Sequence, residues 1–181
     1  MAGPAERARV RPARRADAEA LARIHVAAWR ESYRDILGSA AAGPGAQARR
    51  LRQWRRTLAR PVQGGAVFVA ELDGAPVGFG FCGPQREDDR LADGEFYALY
   101  LLRRAQRRGL GRALMAAMAR TLLGHGMRSA DCWALEGNRT ALAFYAAMGG
   151  LADTRRVEAV AGRPVPERAY VWPDLAAAPF L

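Results

Sequence analysis

The sequence predicts an α/β fold of the mixed (α+β) kind, in which helices flank a mixed sheet of six to seven strands. Three observations lead to this prediction. Residues 94–124 contain a strand, a basic turn and a helix in immediate succession. Residues 66–82 have the β-rich runs and the turn dipeptide of a hairpin. With the remaining segments, the predicted order is a strand, two or three helices, three strands, a helix, a strand, a helix and two strands, and no second domain is evident.

The first part of the chain supplies a short strand and two helices. Residues 10–14 form the candidate first strand. Asp17 is a plausible N-cap for a helix that runs to about Arg30. A second helix is expected over residues 46–60, where apolar residues recur at helical spacing and arginines occupy the other faces.

The hairpin joins residues 66–72 to residues 75–82 through an Asp-Gly turn. Its second strand contains GFGFCG at residues 78–83, which satisfies the letter of the dinucleotide-binding pattern G-x-G-x-x-G. That pattern binds a dinucleotide only where a strand ends and a helix begins, whereas here Pro84 and a polar stretch follow. We therefore expect these glycines to allow a bulge or close packing.

The second part of the chain continues with strands and helices in alternation. The predicted elements are a strand at 95–102, a helix at 110–123, a strand at 128–135, a short helix opened by Asn138 and ended by Gly149-Gly150, and a hairpin of residues 151–158 and 167–172. The tail from Pro173 is expected to be frayed.

Length and composition favour a single domain over residues 1–181, with its core at about residues 9–172 and short terminal segments outside it. The net charge of +10 comes entirely from arginine. The arginines divide equally between the first 60 residues and the remainder, and this division argues against nucleic-acid binding. Cys82 and Cys132 lie in apolar runs and are expected to be buried free thiols, which fits a reducing cytoplasm. No apolar run approaches the ~20 residues that a membrane span requires.

The joint between the central strand and its helix, residues 103–109, is a candidate anion site. The first N–H groups of a helix have no partner within it, so they attract an anion, and Gly109 and Gly111 keep Cβ atoms out of the way. A P-loop would need a lysine that is absent, and a dinucleotide-binding turn would need a third glycine where Leu114 stands. The pyrophosphate of coenzyme A fits the turn best.

Two motifs then identify a family. The heptapeptide QRRGLGR at residues 106–112 resembles motif A of the GNAT superfamily of acetyl-CoA-dependent N-acetyltransferases, whose pattern is Q/R-x-x-G-x-G/A. The segment WALEGN at residues 133–138, followed by an aromatic pair, resembles that family's motif B. The resemblance extends over residues 10–172 and implies the GNAT acyltransferase fold, with splayed central strands and acetyl-CoA as co-substrate.

The resemblance also implies a set of residues that bind acetyl-CoA. In the family, the pantetheine arm binds backbone groups of the splayed strand, and the pyrophosphate lies on the turn and helix start. The corresponding residues are Tyr100, Leu101, Leu102 and Arg103 at the strand end, Gln106, Arg107, Arg108, Gly109, Leu110, Gly111 and Arg112 in the turn, and Asn138 in motif B.

For catalysis, the resemblance implies that Tyr145 acts as the acid for the leaving thiolate. Glu95 begins the central strand and is the candidate base, with a water chain as the alternative. Neither a metal nor a covalent enzyme intermediate is required. One departure from the family pattern is Gly149-Gly150, which replaces a familiar glycine-phenylalanine and removes an aromatic residue from the core near Tyr145.

The expected substrate is a primary amine, either a small cationic molecule or a protein N-terminus or side chain. Trp29, Tyr33 and Tyr97 are the candidate residues that bind it, and the acidic cluster at 87–89 favours a cationic molecule. The alternative function is a catalytically silent acyl-CoA-binding sensor or a polyanion-binding protein on the same fold. A cytoplasmic enzyme, with a homodimer as a further option and no membrane partner, is the expectation.

Overall fold

The computed structural model describes residues 7–38, 43–86, 91–160 and 162–181 of the chain. The strands are β1 (Ala8–Pro12), β2 (Ala66–Leu72), β3 (Ala75–Pro84), β4 (Gly94–Leu101), β5 (Ala130–Leu135), β6 (Leu151–Val160) and β7 (Arg163–Trp172). The helices are α1 (Ala18–Leu37), α2 (Ala46–Ala59), α3 (Leu110–Gly124) and α4 (Arg139–Ala147). The acidic cluster at 87–89 lies outside the described residues.

The strands form a seven-stranded sheet in the order β1-β2-β3-β4-β5-β7-β6, which confirms the predicted mixed sheet. Strands β4 and β5 are parallel, and every other neighbouring pair is antiparallel. Leu21 of α1 and Trp54 of α2 pack on Phe79 at one face of the sheet. Helices α3 and α4 cover the other face, where Met115 and Tyr145 pack beside Cys132.

The glycines of β3 permit close packing of neighbouring side chains, as the sequence predicts. A Cβ on Gly80 would lie 2.9 Å from the sulfur of Met118 in α3, and a Cβ on Gly78 would collide with Leu101 of β4. A register shift between Phe81 and Gly83 adds the predicted bulge. The segment is therefore a packing surface for neighbouring side chains rather than a phosphate-binding turn.

Helix α1 is longer than predicted, since it continues past Arg30 to Leu37. Residues 31–37 contain no glycine or proline, and Tyr33 and Leu37 extend the buried stripe. The helix ends where Gly38 takes a φ of 60°.

Asp17 does not cap α1 with its side chain, although the sequence predicts that it should. The Asp17 side chain makes no capping hydrogen bond to the helix. Its carboxylate instead accepts from both terminal nitrogens of Arg11, at 2.7 and 2.8 Å, and from the N–H of Arg14 at 2.6 Å. The ion pair with Arg11 holds the pKa of Asp17 below its usual range.

The carboxyl-terminal tail is packed rather than frayed. Leu175 is fully buried and Phe180 is 3% exposed, because both belong to the core cluster that includes α3. The N–H of Leu175 donates to the carbonyl of Arg128 at 2.8 Å. The core therefore extends beyond residue 172, since the apolar tail covers one end of the sheet.

Trp172 occupies the space that an aromatic residue at position 150 would fill. A Cβ on Gly150 would lie 2.7 Å from Cζ2 of Trp172. The indole N–H of Trp172 donates to the carbonyl of Met148 at 2.9 Å, just after α4. The aromatic residue that the sequence lacks at position 150 is thus replaced by a tryptophan from β7, next to Tyr145.

Within the described residues, none of the helices combines the length and apolar character needed to cross a bilayer.

His25 of α1 is 5% exposed and stacks on Tyr100 with ring centroids 5.1 Å apart. Its Nδ1 has no hydrogen-bond partner among the described atoms. Burial lowers the pKa of His25 from 6.5 to about 3, with Arg50 nearby as a smaller cause. His25 is therefore neutral in the folded protein at neutral pH.

The buried histidine predicts a pH-dependent stability. Below pH 6.5 the unfolded chain takes up a proton at His25 that the folded chain binds only near pH 3. The free energy of unfolding should therefore fall on acidification between about pH 7 and 5, with a limiting slope of ~1.4 kcal/mol per pH unit. Urea unfolding followed by circular dichroism measures this slope.

The matched variant is His25→Leu, which removes the titrating group and keeps an apolar contact. Its slope in the same range should be much flatter than that of the parent chain. The range lies above the ordinary pKa values of 3.8 for Asp17 and 4.5 for Glu71, so those carboxylates contribute little to it. Equal slopes for the two proteins would contradict the assignment.

Candidate active site

Strands β4 and β5 are paired only where they begin. Their parallel register joins Gly94 to Ala130 and Glu95 to Asp131, and beyond this point the two strands diverge. On its other side β4 stays paired with β3 as far as Leu101. The predicted splay of the central strands is therefore present, and it leaves backbone groups of the second half of β4 facing a gap.

The alternation of the strand determines which backbone groups face this gap. The N–H of Leu102 donates to the carbonyl of Val77 at 2.9 Å, so it points to β3 and away from the gap. Tyr100 has the same orientation, because backbone groups two residues apart point to the same neighbouring strand. Leu101 lies between them and faces the gap, and its carbonyl accepts from Nε2 of Gln106 at 3.2 Å. Among Tyr100, Leu101 and Leu102, only Leu101 therefore directs its backbone groups into the gap.

The turn after β4 is fixed by contacts with distant parts of the chain. It begins with a single turn of 3-10 helix, Arg103–Ala105. Arg103 is hydrogen-bonded to Glu31 of α1, through its N–H to the carboxylate at 2.6 Å and through its guanidinium to the carbonyl at 3.1 Å. The guanidinium of Arg112 donates to the carbonyl of Pro179 in the tail. The turn is thus preorganised by α1 and by the tail.

The same turn is strongly basic and has an unusual backbone. Arg107 and Gly109 both have left-handed conformations, with φ values of 61° and 78°. For a non-glycine residue such as Arg107 this conformation costs roughly 1–2 kcal/mol. Arg104, Arg108 and Arg112 are exposed around the start of α3. Arginine side chains and the first amides of a helix both attract a phosphate-sized anion.

The two sequence motifs are in direct contact. A Cβ on Gly111 of α3 would lie 3.0 Å from Cε2 of Phe144 in α4, so Gly111 is required for packing between the helices. The side chain of Asn138 accepts from the N–H of Ala141 at 3.2 Å and thereby caps α4. Asn138 also forms a hydrogen bond with the hydroxyl of Tyr33. The second glycine of the turn and the motif B asparagine therefore both hold helices in place.

Tyr145 lies in the core at the base of the gap. It is 8% exposed, and its hydroxyl is hydrogen-bonded to the thiol of Cys132. Cys132 directly follows Asp131, the last residue of β5 that pairs with β4. Burial raises the pKa of the Tyr145 hydroxyl well above 10, and the nearby thiol acts in the same direction. This hydroxyl is therefore protonated at neutral pH.

A pocket opens at the divergent strands and is bounded by α1, the end of β3, β4, β5 and the β6–β7 hairpin. Its lining residues are Trp29, Tyr33, Arg86, Glu95, Phe96, Tyr97, Tyr100, Trp133, Leu135, Arg156, Val160 and Glu167. All three residues predicted to bind substrate, Trp29, Tyr33 and Tyr97, are among them, as is the candidate base Glu95. The structure thus brings together residues that are far apart in the sequence.

Hydrogen bonds between aromatic side chains connect α1 to the central strand. The indole N–H of Trp29 donates to the hydroxyl of Tyr100 at 2.9 Å. Tyr100 is also hydrogen-bonded to Tyr33, and burial raises the pKa of its hydroxyl well above 10. Because Tyr33 is bonded in turn to Asn138, the network extends from α1 through β4 to the start of α4. It gives the pocket a rigid aromatic wall.

Glu95 is 4% exposed, and both of its carboxylate oxygens accept from the guanidinium of Arg86. The same guanidinium lies over the ring of Tyr97, 4.2 Å from its centroid. The hydroxyl of Tyr97 donates to the carbonyl of Pro84, and burial, with a smaller contribution from Glu95, raises its pKa to about 12. Arg86 therefore covers the candidate base in this arrangement.

Other pocket residues carried no sequence signal. Arg86 follows β3, and Arg156 and Glu167 are paired at 3.0 Å on the β6–β7 hairpin, outside either motif. Behind the pocket, Asp131 is paired with Glu95, is fully buried and accepts from Nε2 of Gln85 at 2.8 and 2.9 Å. No local spacing relates these residues to the motifs, so only the fold could reveal their proximity. Among the residues with a described structure, no cluster of metal-ligating side chains is found.

Comparison with known proteins is consistent with this geometry. Residues 19–149 match the acetyltransferase (GNAT) family. The chain is 36% identical over 169 residues to the uncharacterised N-acetyltransferase YuaI of Bacillus subtilis (strain 168). That similarity covers 93% of this chain and 94% of the relative.

Solved structures share the fold at lower identity. The ribosomal-protein-alanine N-acetyltransferase of Brucella melitensis superimposes with a TM-score of 0.69 and 23% identity, covering 91% of this chain and 98% of that one. The yncA protein of Salmonella typhimurium, solved with its cofactor acetyl-CoA, has a TM-score of 0.67 and 18% identity, covering 93% and 94% of the two chains.

The contact between the motifs predicts a specific effect of Gly111→Ala. The new Cβ would meet two ring carbons of Phe144 at 3.0 and 3.1 Å, so α3 and α4 would have to move apart. We expect a loss of ~1–2 kcal/mol in the free energy of unfolding, measured by urea denaturation. Gly124→Ala is the control in the same helix, because its Cβ meets nothing within 4 Å. The control should be neutral or stabilising, and equal effects at both sites would refute the packing role.

Proposed function

This chain belongs to the acetyltransferase (GNAT) family, and we propose that it moves the acetyl group of acetyl-CoA to a primary amine by direct transfer in a ternary complex. The observation that carries this proposal is the gap between β4 and β5, which has the basic turn at one end and the pocket with Glu95 at the other. A thioester held in the gap would meet an amine in the pocket without a covalent enzyme intermediate.

The residues present fit coenzyme A, which supplies an activated acyl thioester when bound. Gly109 and the exposed guanidinium groups of Arg107, Arg108 and Arg112 would hold the diphosphate at the start of α3. Leu101 faces the gap, and its N–H would bind the carbonyl oxygen that gains negative charge during the transfer. Support for this assignment comes from the preformed turn and from the orientation of the β4 backbone.

We propose Tyr145 as the acid that assists the leaving thiolate. Its hydroxyl is at the base of the gap and stays protonated because burial raises its pKa. A protonated hydroxyl in a water-poor site can donate a hydrogen bond to a sulfur that gains negative charge. The thiol of Cys132 also has a raised pKa, so it stays neutral and does not repel that charge.

We propose Glu95 as the base that accepts the ammonium proton. Its side chain lines the pocket, but both carboxylate oxygens are bonded to Arg86. Direct proton transfer therefore requires Arg86, whose side chain is 59% exposed, to turn away when the amine binds. The alternative is a water chain that delivers the proton to solvent, for which Glu95 would only orient the amine.

The proposed acceptor is a small cationic molecule, with a protein N-terminus or side chain as the other option. Aromatic rings of Trp29, Tyr33 and Trp133 and the carboxylates of Glu95 and Glu167 line the pocket, a combination that suits an ammonium group on an apolar body. A cytoplasmic location is proposed as well, because both cysteines are free and buried.

A direct assay tests the proposal. Purified protein, acetyl-CoA and a pooled panel of amines are mixed, and release of free thiol is followed with a chromogenic disulfide. We expect thiol release that depends on both the protein and an amine. Tight coenzyme binding without release from any pool would favour an acyl-CoA sensor. Salt-sensitive binding to DNA or RNA, without release, would favour a polyanion-binding protein.

Tyr145→Phe should lower kcat by roughly 10²-fold or more with a modest change in coenzyme affinity, because only the hydroxyl is removed. Tyr170→Phe is the matched control, since its ring lies 5.9 Å from that of Tyr145 in the same core. Thermal unfolding of both variants reports any loss of stability. Unchanged turnover in the Tyr145 variant would eliminate its role as the acid.

Glu95→Gln should lower kcat/KM by roughly 10²- to 10⁴-fold if the carboxylate is the base. It should also remove the rise of kcat/KM with pH on the acid side, since the base must be ionised to accept a proton. Asp131→Asn replaces the neighbouring buried carboxylate and should leave that rise in place. A pH profile of the Glu95 variant that matches the parent would leave the water chain as the proton acceptor.

A further inference from the structure

Strand β6 is unusually exposed for its length. It contains 10 residues at the edge of the sheet, and eight of them are exposed. Leu151 and Val157, at 60% and 68% exposure, are two of the few large apolar side chains that the described surface leaves open. A long edge strand with exposed apolar residues is a template for pairing with another strand.

The pairing of β6 with β7 shows where its free backbone groups point. Val157 lies opposite Pro166, and Ala159 lies opposite Pro164. Proline has no N–H, so these must be the non-hydrogen-bonded pairs of the antiparallel ladder. The carbonyl of Pro166 confirms this assignment, because it points away from β6 and accepts from the backbone N–H of Glu136 at 2.8 Å. The N–H and C=O groups of Val157 and Ala159 therefore point outward, away from β7.

We propose that the chain forms a homodimer in which β6 pairs antiparallel with β6 of a second copy, with the two-fold axis at Val157. A two-fold axis normal to the sheet places residues of the same face opposite each other. Val157 then lies opposite Val157 of the second copy and exchanges a pair of backbone hydrogen bonds with it. Arg156 lies opposite the second copy's Glu158, and Glu158 opposite the second copy's Arg156.

Charge complementarity is what favours a second copy over an unrelated strand. Charged residues normally protect an edge strand from pairing. On β6, however, Arg156 and Glu158 are placed symmetrically about Val157, so that self-pairing in this register joins opposite charges twice. Strand β6 also contains no proline that would remove one of its outward N–H groups.

The proposed interface reaches the pocket. Arg156 lines the pocket, donates to Glu167 at 3.0 Å and lies 3.9 Å from the ring centroid of Trp133. In the dimer the second copy's Glu158 flanks Arg156 on the side opposite to Glu167. Each copy therefore contributes a carboxylate that fixes the guanidinium on the pocket wall of the other. The proposed dimer interface is therefore connected to the pocket wall through Arg156.

Sedimentation velocity of the full chain over a range of concentrations tests the proposal. We expect a concentration-dependent dimer. Val157→Pro removes one outward N–H and no bond to β7, so it should raise the dimer dissociation constant by roughly 100-fold or more. Val157→Thr keeps the N–H and the β-branched shape and should remain largely dimeric. Circular dichroism and thermal unfolding verify that each variant is folded.

The charge pair gives a second, independent measurement. Glu158→Lys should weaken dimerisation by roughly 10-fold, more than Glu158→Gln does, and added salt should reduce the difference. A parent chain that is monomeric at all concentrations would overturn the proposal, as would a folded Val157→Pro variant that dimerises like the parent. Sedimentation is measured without acetyl-CoA or an amine, so the oligomeric state is determined independently of the proposed acetyltransferase activity.

Discussion

The site depends on the parting of β4 and β5 just after Glu95 and Asp131. A sheet loses backbone hydrogen bonds where two strands diverge, so the divergence needs support from side chains. Here the support comes from the core beneath the strands, where Tyr145, Cys132 and Trp172 belong to one buried cluster with residues of α3. The diverging strands therefore rest on a packed core.

The excess of arginine has two distinct uses. The guanidinium groups of Arg11 and Arg103 contact carboxylates or backbone of other elements and hold β1 and the turn after β4 in place. Arg107 and Arg108 are exposed at the start of α3, where positive charge suits an anionic ligand. The net charge of the chain is thus only partly a functional signal, since some arginines are neutralised by structural ion pairs.

Local patterns predicted the strands, most helix ends and both motifs, because hydrophobic period, glycine and capping residues act over a few positions. The same local reasoning placed Trp29, Tyr33 and Glu95 as pocket candidates, and the fold brings them together. It missed Arg86 and Asp131, since their significance depends on contacts across strands. It also expected a frayed tail, because burial of Phe180 is a tertiary contact that no short window contains.

The exchange between Gly150 and Trp172 has an evolutionary consequence. The two positions lie on different elements but share a single volume beside Tyr145. A large side chain at one position excludes a large side chain at the other, so substitutions there should be inherited as compensated pairs. A lineage can thereby move the aromatic ring from the end of α4 to β7 while the tyrosine hydroxyl keeps its place. The combined side-chain volume of the two positions, rather than residue identity at either one, is therefore what the packing beside Tyr145 constrains.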